Sequence, residues 1–203
     1  MTVVDHLARI VARKRIEVQR RSRFALHYRR WAEASVAPIR PASDLLRRHG
    51  DLPGVIAEVK FRSPSAGVIR ARQVGAARKI ACAYERAGAG AVSVLCDGPG
   101  FGGCPLDLRR VARDVSVPVL FKEFVVDALQ VDLARAVGAH MVLLLVNCLD
   151  ETELPALVEQ VHARGLDAVV EAATAQELQR ALATSARIVG MNARDLHSFQ
   201  VDA

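Results

Sequence analysis

Six polar residues stand out for where they lie in this sequence. Glu58, Lys60, Lys122, Glu171, Asn192 and Arg194 each sit at or just beyond the end of a short apolar run. Singly, each looks like a solvated strand end. Together they form an acid–base set. A lysine partly desolvated among other cations can serve as a general acid, and a glutamate in an apolar mouth can serve as a general base. Alternation along the first run puts Glu58 and Lys60 on one face. Glu58 can therefore hold Lys60 or Lys122 in place. The cations suit an anionic substrate, a phosphate or a carboxylate. Ser63 and Ser65, in Arg62-Ser-Pro-Ser-Ala-Gly, can offer hydroxyl and backbone N–H groups to such an anion. Lysine is scarce, at 4 residues against 24 arginines, and two of the four fall in this set. No His or Cys spacing suits a metal, so none is expected. His140 and His162 read as surface residues, and Cys96 has no histidine near it to make it a nucleophile.

These residues need a scaffold that brings run ends together. The apolar runs are Val55–Lys60, Ala91–Leu95, Val117–Phe121, Met141–Val146, Ala168–Glu171 and Ile188–Asn192. Helix-like segments separate them at Ala76–Ala87, Asp107–Val115, Asp127–Val137, Glu153–Ala163 and Ala175–Ala183. Three of these segments exit through Gly88, Gly138 and Gly165, as left-handed caps do. A period of roughly 25 residues, with strands apolar nearly throughout, predicts βα units and a parallel sheet. An open doubly wound sheet and a (β/α)8 TIM-type barrel both satisfy this. The regular period, and the lack of a G-x-G-x-x-G opening the first helix, favour the barrel. Chemistry in a barrel sits at the C-terminal strand ends, where the six residues fall.

Composition narrows the class. The chain has 203 residues, 51% of them hydrophobic and 25% charged, which fits one folded domain and argues against disorder. The net charge of +6 is concentrated in residues 1–50, with 12 Lys+Arg against 4 Asp+Glu; residues 51–203 hold 16 against 18. The division expected is a basic N-terminal helical extension, 1–50, and a barrel portion, 51–203. Leu7, Ile10, Val11 and Val18 form one helical stripe, so the extension reads as an amphipathic helix with a solvated basic face. Pro38 and Pro41 interrupt that pattern, and Pro53-Gly54 marks a turn. No nucleic-acid motif or aromatic platform accompanies the basic face, so no nucleic-acid partner is expected. No apolar run reaches about 18 residues, and no signal-peptide core is present. A cytoplasmic, reducing setting without membrane partners is expected.

The motifs also resemble a known family. Ile56-Ala-Glu-Val-Lys-Phe-Arg-Ser-Pro-Ser-Ala-Gly67 resembles the first-strand signature of indole-3-glycerol-phosphate synthase. Ala91-Val-Ser-Val-Leu-Cys-Asp with Phe101-Gly-Gly resembles the second strand and its loop, and Pro118-Val-Leu-Phe-Lys-Glu-Phe the third. Gly138 to Val146, Val169-Val-Glu171 and Val189-Gly-Met-Asn-Ala-Arg-Asp-Leu resemble the fourth to sixth. The resemblance implies a (β/α)8 barrel with a helix before it. It implies decarboxylating, dehydrating ring closure of 1-(2-carboxyphenylamino)-1-deoxyribulose 5-phosphate to indole-3-glycerol phosphate, with no cofactor. By motif position, Lys122 would be the general acid, Glu171 the general base, and Glu58 their support. Lys60 would pair with the substrate's anionic groups, Ser63 would lie near that anion, and Phe101 would pack on an aromatic ring. Asn192 and Arg194 would hold substrate.

The chain departs from the family pattern in places. Glu123 stands where Asp usually follows the lysine, Cys104 where Ser is common, and Ala172-Ala-Thr where a longer polar residue is usual. Only about six βα units are present. Two more would bring the length to about 250 residues, usual for this barrel, and the family's main phosphate loops lie on those last two strands. The expectation is poor binding of the substrate phosphate and weak turnover, or none, by the 203 residues alone. A non-catalytic or partner-dependent protein, completed by self-association or a second chain, is the alternative.

Overall fold

The computed structural model describes residues 6–35, 42 and 54–192. Pro38, Pro41, Pro53, Arg194 and the expected boundary at residue 50 lie outside them. Two helices come first, α1 (His6–Arg21) and α2 (Ala25–Glu33). Six strands follow: β1 (Ile56–Val59), β2 (Ala91–Leu95), β3 (Val119–Lys122), β4 (Met141–Leu145), β5 (Asp167–Ala172) and β6 (Ile188–Met191). Between them run α3 (Ala76–Arg86), α4 (Pro105–Ala112), α5 (Ala128–Ala136), α6 (Glu153–Ala163) and α7 (Ala175–Leu182). The expected strands and helices all form, with ends displaced by at most three residues.

Strand order decides between the two architectures. The six strands pair in sequence order, β1-β2-β3-β4-β5-β6, and every pairing is parallel. A doubly wound sheet reverses its order at a switch point; this one never does. It is the winding of a TIM-type barrel, six units of it, behind an N-terminal helix.

Register divides the side chains between two faces. Val92, Val94, Val119, Phe121, Val142, Leu144, Ala168 and Val170 face outward and are almost fully buried beneath the helices. This explains why the strands read as apolar throughout. The alternate residues face inward. Glu58 registers with Ser93, Leu95 with Lys122, and Leu145 with Glu171. Polar groups therefore gather at the C-terminal end of the inner face.

Local signals set the helix limits. The Asp127 carboxylate accepts from Leu129 N–H, and the Thr174 hydroxyl accepts from Glu177 N–H, each capping a helix start. Glu177 reaches back to Ala173 N–H, as a capping-box residue does. Gly88, Gly138 and Gly165 have φ of 91°, 91° and 70°, the left-handed exits their positions suggested.

Helix α1 is more than a solvated basic face. Leu7, Ile10 and Val18 are buried as the stripe predicts, but Lys14 is buried on the same stripe. Arg15 pairs with Glu153 at 2.9 Å, and α1 touches the turn Val146–Cys148 that follows β4. The helix thus lies along the C-terminal rim of β2 to β4. Helix α2 packs on α5. Burial also corrects the reading of His140, whose Nδ1 accepts from Val119 N–H at 3.2 Å; burial, then Arg135, holds its pKa below the ordinary histidine value.

Candidate active site

A cavity of about 220 Å³ opens at the C-terminal end of the inner face. Glu58, Lys60, Lys122, Glu171 and Asn192 line its polar side, with the buried Glu123 beside Lys122, and Leu95, Phe101, Phe124, Leu143 and Leu145 its apolar side. Five strands and the β2 loop contribute. That breadth is why run ends separated by more than a hundred residues meet.

Lys122 is central. Its Nζ lies 3.4 Å from Glu58 Oε2 and 3.8 Å from Glu171 Oε2. Glu58 Oε1 accepts from Lys60 Nζ at 2.5 Å, so Glu58 holds both lysines. Burial alone would raise the Glu58 carboxyl. Lys122 and Lys60 outweigh that and keep its pKa below the ordinary carboxylate value. Asn192 Nδ2 donates to Glu171 Oε1 at 2.7 Å, which leaves Glu171 Oε2 toward Lys122. All five side chains are only partly buried. A proton can therefore pass between them and a ligand without a fully desolvated charge.

The turn Gly98–Phe101 supplies the aromatic wall. Asp97 Oδ2 accepts from Gly100 N–H at 2.7 Å, which fixes the turn. Gly103 closes it: a Cβ there would stand 2.1 Å from the Leu95 carbonyl oxygen, so any side chain would push the turn off β2. Phe101 then packs against Phe124, with ring centroids 5.9 Å apart.

Of the residues the sequence suggested, Glu58, Lys60, Lys122, Glu171, Asn192 and Phe101 come together. Ser63 does not line the cavity. It is buried in the small hairpin of Arg62–Ser63 with Gly67–Val68, where its Oγ accepts from Ala66 N–H at 3.1 Å. Arg194 lies outside the described residues. Cys96 is buried, which pushes its thiol well above the ordinary value and keeps it inert.

Sequence reasoning missed the apolar side apart from Phe101, and a second charged group behind it. Lys14 Nζ lies 2.8 Å from Glu17 Oε2, 3.0 Å from Asp97 Oδ1 and 3.1 Å from Glu123 Oε1. Arg13 Nη2 donates to the same Asp97 oxygen at 2.9 Å. Lys14, Asp97 and Glu123 are 2%, 0% and 6% exposed. Burial alone would lower the Lys14 ammonium, but Glu123, Glu17 and Asp97 outweigh it and raise its pKa. Burial pushes the Glu123 carboxyl up to about 7, against the pull of Lys14. The available signal was Lys14 itself, a scarce lysine in line with Leu7, Ile10 and Val18.

Comparison with known proteins agrees with the motifs. The family model for indole-3-glycerol phosphate synthase matches residues 7–203. Indole-3-glycerol phosphate synthase of Beutenbergia cavernae is 47% identical over 82% of this chain and 60% of its own length. That of Saccharopolyspora erythraea is 42% identical over 84% and 62%, and that of a Parafrankia species 49% over 73% and 54%. The chain thus spans about 60% of the length of the curated relatives it matches. Strand order, the grouping of charge at the strand ends and these identities agree, and the chain belongs to the indole-3-glycerol phosphate synthase family.

Proposed function

We propose that this chain carries the acid–base centre of an indole-3-glycerol phosphate synthase. The reaction closes 1-(2-carboxyphenylamino)-1-deoxyribulose 5-phosphate to indole-3-glycerol phosphate, with loss of carbon dioxide and water. The observation that carries this reading is Lys122 held between Glu58 and Glu171 at the mouth of a cavity with an apolar wall.

In this reading Lys122 gives a proton to the ribulose carbonyl. The ring carbon bearing the carboxylate attacks the activated carbonyl carbon, and the new C–C bond closes the five-membered ring. Electrons from the breaking carboxylate bond flow into the iminium form of the ring, so no cofactor is required. Glu171 then takes the proton lost in dehydration, and the hydroxyl leaves as water. Glu58 keeps Lys122 oriented before substrate arrives. Lys60 meets an anionic group of the substrate, and Phe101 with Phe124 packs the arylamine ring. The partner is therefore a small phosphorylated molecule. All four cysteines are free thiols, which suits a reducing, cytoplasmic setting.

The test is product formation, followed by indole fluorescence. Turnover should be lost in Lys122→Ala, since an acid–base side chain contributes about 10²–10⁴-fold. Near-normal turnover in that variant would remove Lys122 as the acid. Absence of product from a protein that carries these residues over the full length of the relatives would remove the reading.

A further inference from the structure

The group around Lys14 lies behind the cavity and reaches its lining through Glu123, and nothing in the proposed reaction uses it. Its placement is nevertheless specific. Asp97 follows β2 by two residues, and Glu123 follows β3 by one. Glu123 is thus next in the chain to Lys122. Asp97 fixes the turn that carries Phe101, by accepting from Gly100 N–H through its side chain and from Gly103 N–H through its carbonyl. Glu123 Oε1 accepts from Phe124 N–H at 2.8 Å, which anchors the second aromatic. One ammonium, delivered from α1, joins both loops. Without it two buried carboxylates would face each other with Arg13 as the remaining cation on Asp97, and like charges in a desolvated place move apart or protonate.

We propose that Lys14 is a positioning residue for Lys122: by tying Asp97 to Glu123 it sets the distance between the β2 and β3 loops, and through them the places of Lys122 and Phe101 in the cavity wall. Displacement of the reacting group by about 1 Å costs roughly 100-fold in rate even when the change lies away from the chemistry. The kinetic part rests on Lys122 being the acid of the proposed reaction. The positional part does not.

The lysine-poor composition supplies the probe. The full chain labelled with ¹³C at lysine Cε gives signals from four lysines, assigned with Lys79→Arg and Lys122→Met. Lys14→Met should shift the Lys122 signal and leave Lys79, exposed on α3, in place. It should also lower kcat roughly 100-fold with KM nearly unchanged. Glu123→Gln keeps the size and shape of the side chain and, at pH 8 where Glu123 is ionised, should shift the same signal, so it serves where Lys14→Met does not fold. A merely structural role predicts a lower melting temperature with the Lys122 signal and kcat at wild-type values, and that result overturns the proposal. An unmoved Lys122 signal in Glu123→Gln overturns it as well. A moved signal together with near-normal turnover in Lys122→Ala keeps the positioning role and removes the functional reading instead.

Discussion

Two lysines in this molecule are each placed between two carboxylates, and their surroundings differ. Lys122 lies 3.4 and 3.8 Å from Glu58 and Glu171, with 30% of its side chain exposed. Lys14 lies 3.0 and 3.1 Å from Asp97 and Glu123, with 3% exposed. The first arrangement is loose and wet. Its ammonium can give a proton away and regain it without leaving a bare buried charge. The second is close and dry. Its charge is held by three acids and by the cost of burying any of them alone. The same residue types make an arrangement suited to proton transfer or one suited to clamping, according to spacing and solvent.

That contrast can be broken at either end. Removing the loose lysine should have the largest effect on rate and a small one on folding. Lys122→Ala should lose about 10²–10⁴-fold in turnover, and urea unfolding should place its stability near wild type, because partly exposed pairs contribute about 0–1 kcal/mol. Glu171→Gln keeps the bond to Asn192 and removes the base. Turnover should fall by at least about 10²-fold, and single-turnover kinetics should show the loss in the steps after ring closure.

The clamp should answer in the opposite sense. Lys14→Met should cost about 3–5 kcal/mol by urea unfolding, as breaking a buried pair does, against at most about 1 kcal/mol for Lys122→Ala. Equal costs would erase the distinction.

A smaller effect concerns pH. Glu123 faces Lys14 from α1 and Asp97 and Cys96 from the β2 loop, with Arg13 and Glu17 beyond. Its folded pKa of about 7 lies above the ordinary value of 4.5. The folded state therefore favours the protonated form. That contribution is full below the ordinary value and is lost as pH rises through about 7. Between pH 5 and pH 8 the wild type should lose stability relative to Glu123→Gln, by on the order of 2 kcal/mol. Denaturation curves of the two proteins at both pH values check this. A parallel decline would show that Glu123 titrates normally.

The loose centre was readable in the sequence and the clamp was not, for physical reasons. Strand ends announce themselves. An apolar run that closes on a charged residue at period two fixes both its place and its face, so Glu58, Lys60, Lys122, Glu171 and Asn192 could be grouped before any coordinates. Lys14 stands among arginines on a helix, where cations usually face solvent. Only its alignment with Leu7, Ile10 and Val18 set it apart, and its partners Asp97 and Glu123 lie in loops whose direction no periodicity gives. The apolar wall was hidden for a related reason. Leu95, Leu143 and Leu145 are ordinary strand leucines until register turns them inward beside Lys122 and Glu171. Ser63 shows the reverse. Its motif suggested an anion contact, yet its hydroxyl is engaged in its own turn.

The ion pairs of α1 also carry a consequence for how the molecule comes into being. Arg13, Lys14 and Arg15 reach partners 84, 83 and 138 residues further along the chain. These are among the most distant contacts in the fold, and such contacts form late because long loops must close first. Helix α1 leaves the ribosome before every strand it rests on. At about 5–20 residues per second, its last partner follows on the order of ten seconds later. During that interval its buried stripe, Leu7, Ile10, Lys14 and Val18, has nothing to rest on. A segment made before the sheet is thus among the last to be secured, and the tie between the β2 and β3 loops is complete only when α1 returns to them.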